Sequence, residues 1–235
     1  MAGRADLEVT LSLAGRTIAP ARQPVPVRSG GFGGAAGLAD YLAREHVDVL
    51  IDATHPYAAG ISANAWAAAQ VSGVRFVALR RPPWIGIAGD RWTDVENVRD
   101  AVRALGEKPR RVLVALGRNE IAPLVDAPQH FYLIRSVDPV DPPLRLPQAA
   151  YVTGRGPFAE AGEQALMRTH GIDAVIAKNS GGDATYGKIA AARSLGIEVI
   201  MLRRPPSPEA PSVETVEEAI AWLDHALTSA AARGV

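Results

Sequence analysis

Short apolar runs alternate with alanine-rich or amphipathic stretches along this chain, and the alternation predicts strands followed by helices. Positions 9–13 predict a first short strand, ended by Ala14-Gly15-Arg16-Thr17, and 24–27 a short edge strand. Gly30-Gly-Phe-Gly-Gly34 is a turn ahead of a helix over 38–46. The apolar run 47–53, bounded by polar residues, has the pattern of a buried parallel strand. A helix over 58–71 is broken by Gly73; a strand over 74–79 and a helix over 95–105 follow. A second series starts with the strand that opens at Arg111. It continues with strands at 131–134 and 151–153, separated by a proline-rich loop at 138–147. It ends with a helix over 160–170, a strand over 174–177, a helix over 185–195, a strand over 199–202 and a closing helix over 213–227.

Strands alternating with helices predict an α/β fold with parallel sheets and right-handed crossovers. One unit of that pattern occurs twice. Asp48-Val-Leu-Ile-Asp-Ala-Thr54, a small-residue helix and Gly73-Val-Arg-Phe-Val-Ala-Leu-Arg-Arg-Pro-Pro83 form the first copy. Asp173-Ala-Val-Ile-Ala-Lys-Asn179, another such helix and Gly196-Ile-Glu-Val-Ile-Met-Leu-Arg-Arg-Pro-Pro206 form the second. A duplicated βαβ unit implies two similar lobes, expected over 1–95 and 96–235, with a cleft between them. Ligands of such folds bind beyond the carboxyl ends of the strands, so chemistry is sought there.

Composition narrows the classes. The chain has 235 residues, zero formal net charge, 48% hydrophobic residues and no cysteine. It is long enough for a real core, and its neutrality argues against long-range attraction to nucleic acid or to an anionic membrane. Thiolate catalysis, disulfides and cysteine zinc sites are excluded, and the scattered histidines make no metal-ligand spacing. No run reaches membrane-spanning length and the first residues lack a signal-peptide pattern, so a cytoplasmic location is expected. Lysine occurs only at 108, 178 and 188 in a chain otherwise rich in arginine, and Lys178 falls at a strand end.

Five strand ends carry chemistry. Arg16, in the stretch Ser12–Thr17, reads either as a ligand for the 2′-phosphate of NADP or as a surface arginine in a turn. Gly31 and Gly33 read as a phosphate cradle at a helix start, as a plain loop or as a lid. Asp52-Ala-Thr-His-Pro-Tyr57 places an acid, a hydroxyl, an imidazole and a phenol together. His55 and Tyr57 are candidate proton donors there, and Thr54 is alternatively a helix cap. Lys178-Asn-Ser-Gly-Gly182, followed by Tyr186, makes an anion or amide site. Arg80, Arg81, Arg203 and Arg204 suit carboxylates or phosphates, or else form a solvated salt-bridge face.

Taken together, Ser12–Thr17, Arg28–Gly34, Asp52–Ala58, Arg80–Trp84, Ile134–Ser136 and Lys178–Gly182 resemble the precorrin-6A reductase (cobalt-precorrin-6A reductase) family of cobalamin biosynthesis. The segments follow the family's order over nearly the whole chain. The resemblance implies two Rossmann-like lobes, an NADPH-dependent oxidoreductase and a methylated tetrapyrrole substrate ringed with acetates and propionates. A hydride would go to one carbon of the double bond between ring carbons 18 and 19, and a proton to the other, giving precorrin-6B. The resemblance places NADPH on the first lobe at Ser12, Gly15, Arg16, Thr17, Gly31, Gly33 and Thr54. The macrocycle would touch Arg80, Arg81, Asn179, Ser180, Gly181, Gly182, Tyr186, Arg203 and Arg204. Lys178, then His55, then Tyr57 are the candidate catalytic residues. No metal is implied in the protein; neither nucleic acid nor membrane is an expected partner, whereas neighbouring enzymes of the pathway are. The family pattern opens with a strand, a Gly-Gly-Thr turn and a helix ahead of the first strand seen here. The first lobe is therefore expected to lack its first strand and glycine-rich loop. An upstream start is one explanation; a degenerate, non-catalytic tetrapyrrole or nucleotide binder is the alternative.

Overall fold

The computed structural model describes residues 3–15 and 20–231, so Arg16 and Thr17 lie outside the described residues. The chain is α/β with parallel sheets and divides into two compact units: one runs to Arg81 and resumes at Pro206, and the other is Pro82–Pro205.

In the first unit, β1 (Leu11–Leu13) pairs in parallel with β2 (Val27–Ser29). Helix α1 (Gly34–Arg44) presents Leu38 and Leu42, one turn apart, to α2 (Ala59–Ser72). Alanines 65, 68 and 69 of α2 let the two helices approach closely over Phe76. β3 (Val49–Asp52) pairs with β4 (Arg75–Leu79), and β4 with the two-residue β11 (Ser212–Val213), all parallel. The last helix, α6 (Val216–Ala231), starts with a reciprocal cap. The Thr215 Oγ1 accepts the Glu218 N–H at 3.1 Å, while the Glu218 carboxylate accepts the N–H groups of Glu214 and Thr215.

The second unit is a six-stranded parallel sheet in the order β5-β10-β9-β6-β7-β8. Its strands are β5 (Trp92–Val95), β6 (Arg111–Ala115), β7 (Phe131–Ser136), β8 (Ala149–Thr153), β9 (Ala174–Lys178) and β10 (Glu198–Leu202). Helices α3 (Val98–Ala104), α4 (Glu160–Thr169) and α5 (Gly187–Leu195) connect them. The central strands are buried on both faces, which is why they read as unbroken apolar runs. Leu113, Leu133, Val175, Ile189 and Val199 meet Met167 in the core.

Sheet pairing divides the chain differently from a boundary at 95/96. The segment after each Arg-Arg-Pro-Pro joins the sheet of the other repeat: β5 pairs with β10, and β11 with β4. The helix expected over 95–105 is shorter, because β5 runs to Val95 and Asn97 caps α3, accepting the Asp100 N–H at 3.0 Å. A 3₁₀ turn at Asp183–Thr185 takes the first turn of the helix expected over 185–195. The helix expected over 213–227 starts later, because Val213 is still strand. Among the described residues no helix is long and apolar enough to cross a membrane.

Candidate active site

The order of the six strands reverses at β6 and β9. From β6 the chain proceeds outward to β7 and β8, then returns to β9 on the other flank and proceeds to β10. That reversal is a topological switch point, where a crevice opens beyond the carboxyl ends of the strands. The register Ala115↔Ala177 sets the two ends side by side. Lys178 is the last residue of β9, and its Nζ donates to Oε2 of Glu120, on the loop after β6. The lysine side chain is 15% exposed and the carboxylate 38%, so the ammonium is the more enclosed partner.

The residues after Lys178 hold a second segment in place. Asn179 grips Trp84 at both backbone groups: Oδ1 accepts its N–H at 2.7 Å, and Nδ2 donates to its carbonyl at 2.9 Å. The Trp84 indole N–H donates to the Gly182 carbonyl at 3.0 Å. Arg204 donates from Nε to the Asn179 carbonyl at 2.8 Å and from Nη2 to the Pro82 carbonyl at 3.1 Å. Gly181, at φ +66°, lies so close to this segment that an added Cβ would stand 2.1 Å from the Pro82 oxygen. Ser180 closes a tight turn, its N–H donating to the Lys178 carbonyl at 2.8 Å. Tyr186 packs against Trp84 with ring centroids 5.6 Å apart, and its hydroxyl accepts from Arg193. Arg203 stands apart from this cluster, ion-paired with Glu96 at 2.8 Å and with Asp94 at 3.8 Å.

Beneath Trp84 lies Lys188 of α5, with Nζ 4.9 Å from the ring and bonded to the Thr185 carbonyl at 2.7 Å. Burial, aided by the Arg135 charge, pushes this ammonium down to about 7, while Glu163 acts the other way. Arg135 and Glu163 form a buried ion pair; among the described residues the Glu163 Oε2 has no hydrogen-bond partner. A cavity of about 330 Å³ opens beside this pair, lined also by Val152, Thr153, Phe158 and Leu166. Among the described residues, none of the site residues expected from the sequence lines it.

In the first unit the expected residues form three groups. At the ends of β1 and β2, Arg28 donates to the Gly30 and Gly31 carbonyls at 2.6 and 2.8 Å. It also reaches Ser12 Oγ at 3.4 Å and stacks 3.7 Å over Phe32. Gly15 lies against this turn, its Cβ position 3.4 Å from Ser29 Oγ. Gly33 is the N-cap of α1 and provides no side-chain cap, so the first N–H groups of the helix are left to other acceptors. At the end of β3, the Asp52 carboxylate accepts the Thr54 N–H at 3.1 Å. The Thr54 hydroxyl meets Ser62 at 3.0 Å and caps no helix. His55 and Tyr57 follow, with rings 5.6 Å apart. After β4, Arg80 donates to the Pro208 carbonyl at 2.7 Å, and Arg81 is exposed.

Glu120, Trp84, Arg28 and Lys188 were not singled out as site residues from the sequence. The signal for Glu120 is its place in Gly117-Arg-Asn-Glu120, a glycine turn directly after a buried strand. Trp84 shows only through partners distant in sequence, and the surroundings of Lys188 come mostly from such partners, whereas Arg28 is held by its near neighbours Gly30, Gly31 and Phe32.

Known proteins resemble this chain in sequence and in fold. A precorrin-6A reductase from Sinorhizobium sp. is 55% identical over 223 residues, covering 95% of this chain and 85% of that protein. One from Rhodobacter capsulatus is 50% identical, covering 94% of this chain and 88% of its own length. A solved structure of CobK precorrin-6A reductase superposes with a TM-score of 0.89 at 49% identity, over 92% of this chain and 86% of that one. The family model described as precorrin-6x reductase CbiJ/CobK matches residues 1–224, and the chain belongs to that family of cobalamin-biosynthetic reductases.

Proposed function

We propose that the chain reduces precorrin-6A to precorrin-6B with NADPH as reductant, and that Lys178 holds the proton. The observation that carries this reading is an enclosed lysine ammonium, paired with a carboxylate, at the switch point of a chain of this family. The two relatives described above are named for precorrin-6A without cobalt, which favours the metal-free ring.

NADPH, when bound, supplies the hydride that enters one carbon of the double bond between ring carbons 18 and 19. The other carbon takes a proton from Lys178 Nζ, which is left as an amine and is reprotonated from solvent. His55 and Tyr57 are the other candidate donors. The first unit suits the dinucleotide. Among the described residues an added Cβ at Gly30, Gly31, Gly33 or Gly34 would meet nothing within 4 Å, which suits the approach of a phosphate to the backbone N–H groups where α1 begins. Ser12, Gly15, Gly31, Gly33 and Thr54 would hold the dinucleotide, as would Arg16 and Thr17, which lie outside the described residues. Arg81 and Arg203, both exposed, match the carboxylate fringe of the macrocycle. Ser180, Gly182 and Tyr186 would border the ring, while Asn179, Gly181 and Arg204 shape the backbone around it. The same reading makes the protein a cytoplasmic enzyme whose partner is the tetrapyrrole.

Loss of NADPH absorbance with purified precorrin-6A tests the reading. Wild type should oxidise NADPH in step with the ring. Lys178→Ala should lower turnover about 100-fold, the scale of general-acid catalysis, with NADPH affinity unchanged. Wild type that binds the ring without oxidising NADPH would overturn the assignment, and normal turnover in the variant would remove Lys178 from the mechanism.

A further inference from the structure

The loop after β6 is built around one carboxylate. The Glu120 N–H donates to the Gly117 carbonyl at 2.9 Å, and Oε2 of the same residue accepts the Gly117 N–H at 3.2 Å. The two bonds close a reciprocal turn, which fixes the side chain before any contact with lysine is counted. An added Cβ at Gly117 would lie 2.9 Å from that oxygen, so a side chain there would displace the carboxylate from this position. Oε2 then receives Lys178 Nζ across the switch point. A lysine stem has four rotatable bonds, so an ammonium that must aim at one atom needs an anchor. Ala115 and Ala177, level in the sheet just before the two ends, place the anchor and the lysine on adjacent strands.

We infer that Glu120 is the positioning residue of Lys178: the Gly117–Glu120 turn aims the ammonium and holds it at the switch point for proton delivery. This rests on the reading of Lys178 given above. In this role Glu120 acts through the lysine and not on the ring or the reductant. A change at Glu120 therefore has nothing to remove once Lys178 is gone, whereas a general loosening of the loop would slow both backgrounds alike.

The test is a double-mutant cycle on the full chain, with purified precorrin-6A and NADPH. Glu120→Ala should lower turnover about tenfold or more, as for a misplaced catalytic group, while the KM for NADPH stays within about twofold of wild type. Glu120→Asp should recover part of the rate. In a Lys178→Ala background, Glu120→Ala should cost no further rate. A readout without substrate or reductant is acetylation of Lys178, followed by mass spectrometry, which should be several-fold faster in Glu120→Ala and near wild type in Glu120→Asp. Full turnover in Glu120→Ala, equal slowing in both backgrounds, or unchanged acetylation would each overturn the inference. Failure of the functional reading looks different: wild type would be inactive, or Lys178→Ala fully active.

Discussion

Replacing Lys188 by methionine should remove a pH dependence from the stability of this protein. Lys188 is 4% exposed and lies under Trp84, facing Arg135 and Glu163. Burial lowers its ammonium from an ordinary 10.5 to about 7. Below pH 7 the folded and unfolded chains both carry the proton, and burying the charge costs about 5 kcal/mol relative to a solvated lysine. Between pH 7 and 10.5 the unfolded chain still binds the proton that the folded chain has released. Stability from this group therefore rises with pH through that window and falls as pH drops toward 7. Between pH 7 and 9 the gain is about 2 kcal/mol. Tyr132, pushed up to about 12 by burial, stays neutral in this range. Methionine keeps the length of the stem without the charge, so the difference between the two chains cancels every other titration. Urea denaturation at pH 7, 8 and 9 should show wild type gaining about 2 kcal/mol on Lys188→Met. Parallel profiles, or a wild type that loses ground as pH rises, would refute the reasoning.

Two further substitutions probe the packing around the site. Gly181→Ala would force a Cβ to 2.1 Å from the Pro82 oxygen at a positive φ, and should cost about 2 kcal/mol or more. Thermal denaturation reads the loss, and an unchanged Tm would show that the 82–84 segment moves freely. Arg135→Ala strands Glu163 in the interior and should cost about 3–5 kcal/mol. The double variant Arg135→Met with Glu163→Leu should recover most of it, and urea midpoints that stay equally low in both would argue against a charge penalty.

The scaffold is written locally. The runs 174–177 and 199–202 sit where β9 and β10 form, because strands covered on both faces need unbroken apolar sequence, while Val49-Leu-Ile51 marks β3, a half-buried strand at the edge of its sheet. Lys178 and Asn179 were legible for a related reason: polar groups at the close of such a run mark the exit of the chain from the sheet. β5 was not legible. Trp92–Val95 carries Thr93 and Asp94 in mid-strand, so this edge strand offers no apolar run to read. Two-residue β11 is too short to show any period.

What the sequence by itself determined was therefore an α/β chain of two related βαβ units and the residues at their strand ends. Two things were left to tertiary structure. One was the partnership of those residues: Glu120 lies 58 positions from Lys178, and Trp84 lies 95 from Asn179. Separations of that size are bridged by sheet order, which no local pattern encodes. The other was membership of the units. After each Arg-Arg-Pro-Pro the chain joins the other repeat's sheet, because backbone pairing rewards whichever edge is open to the strand, and side-chain periodicity does not say which edge that is.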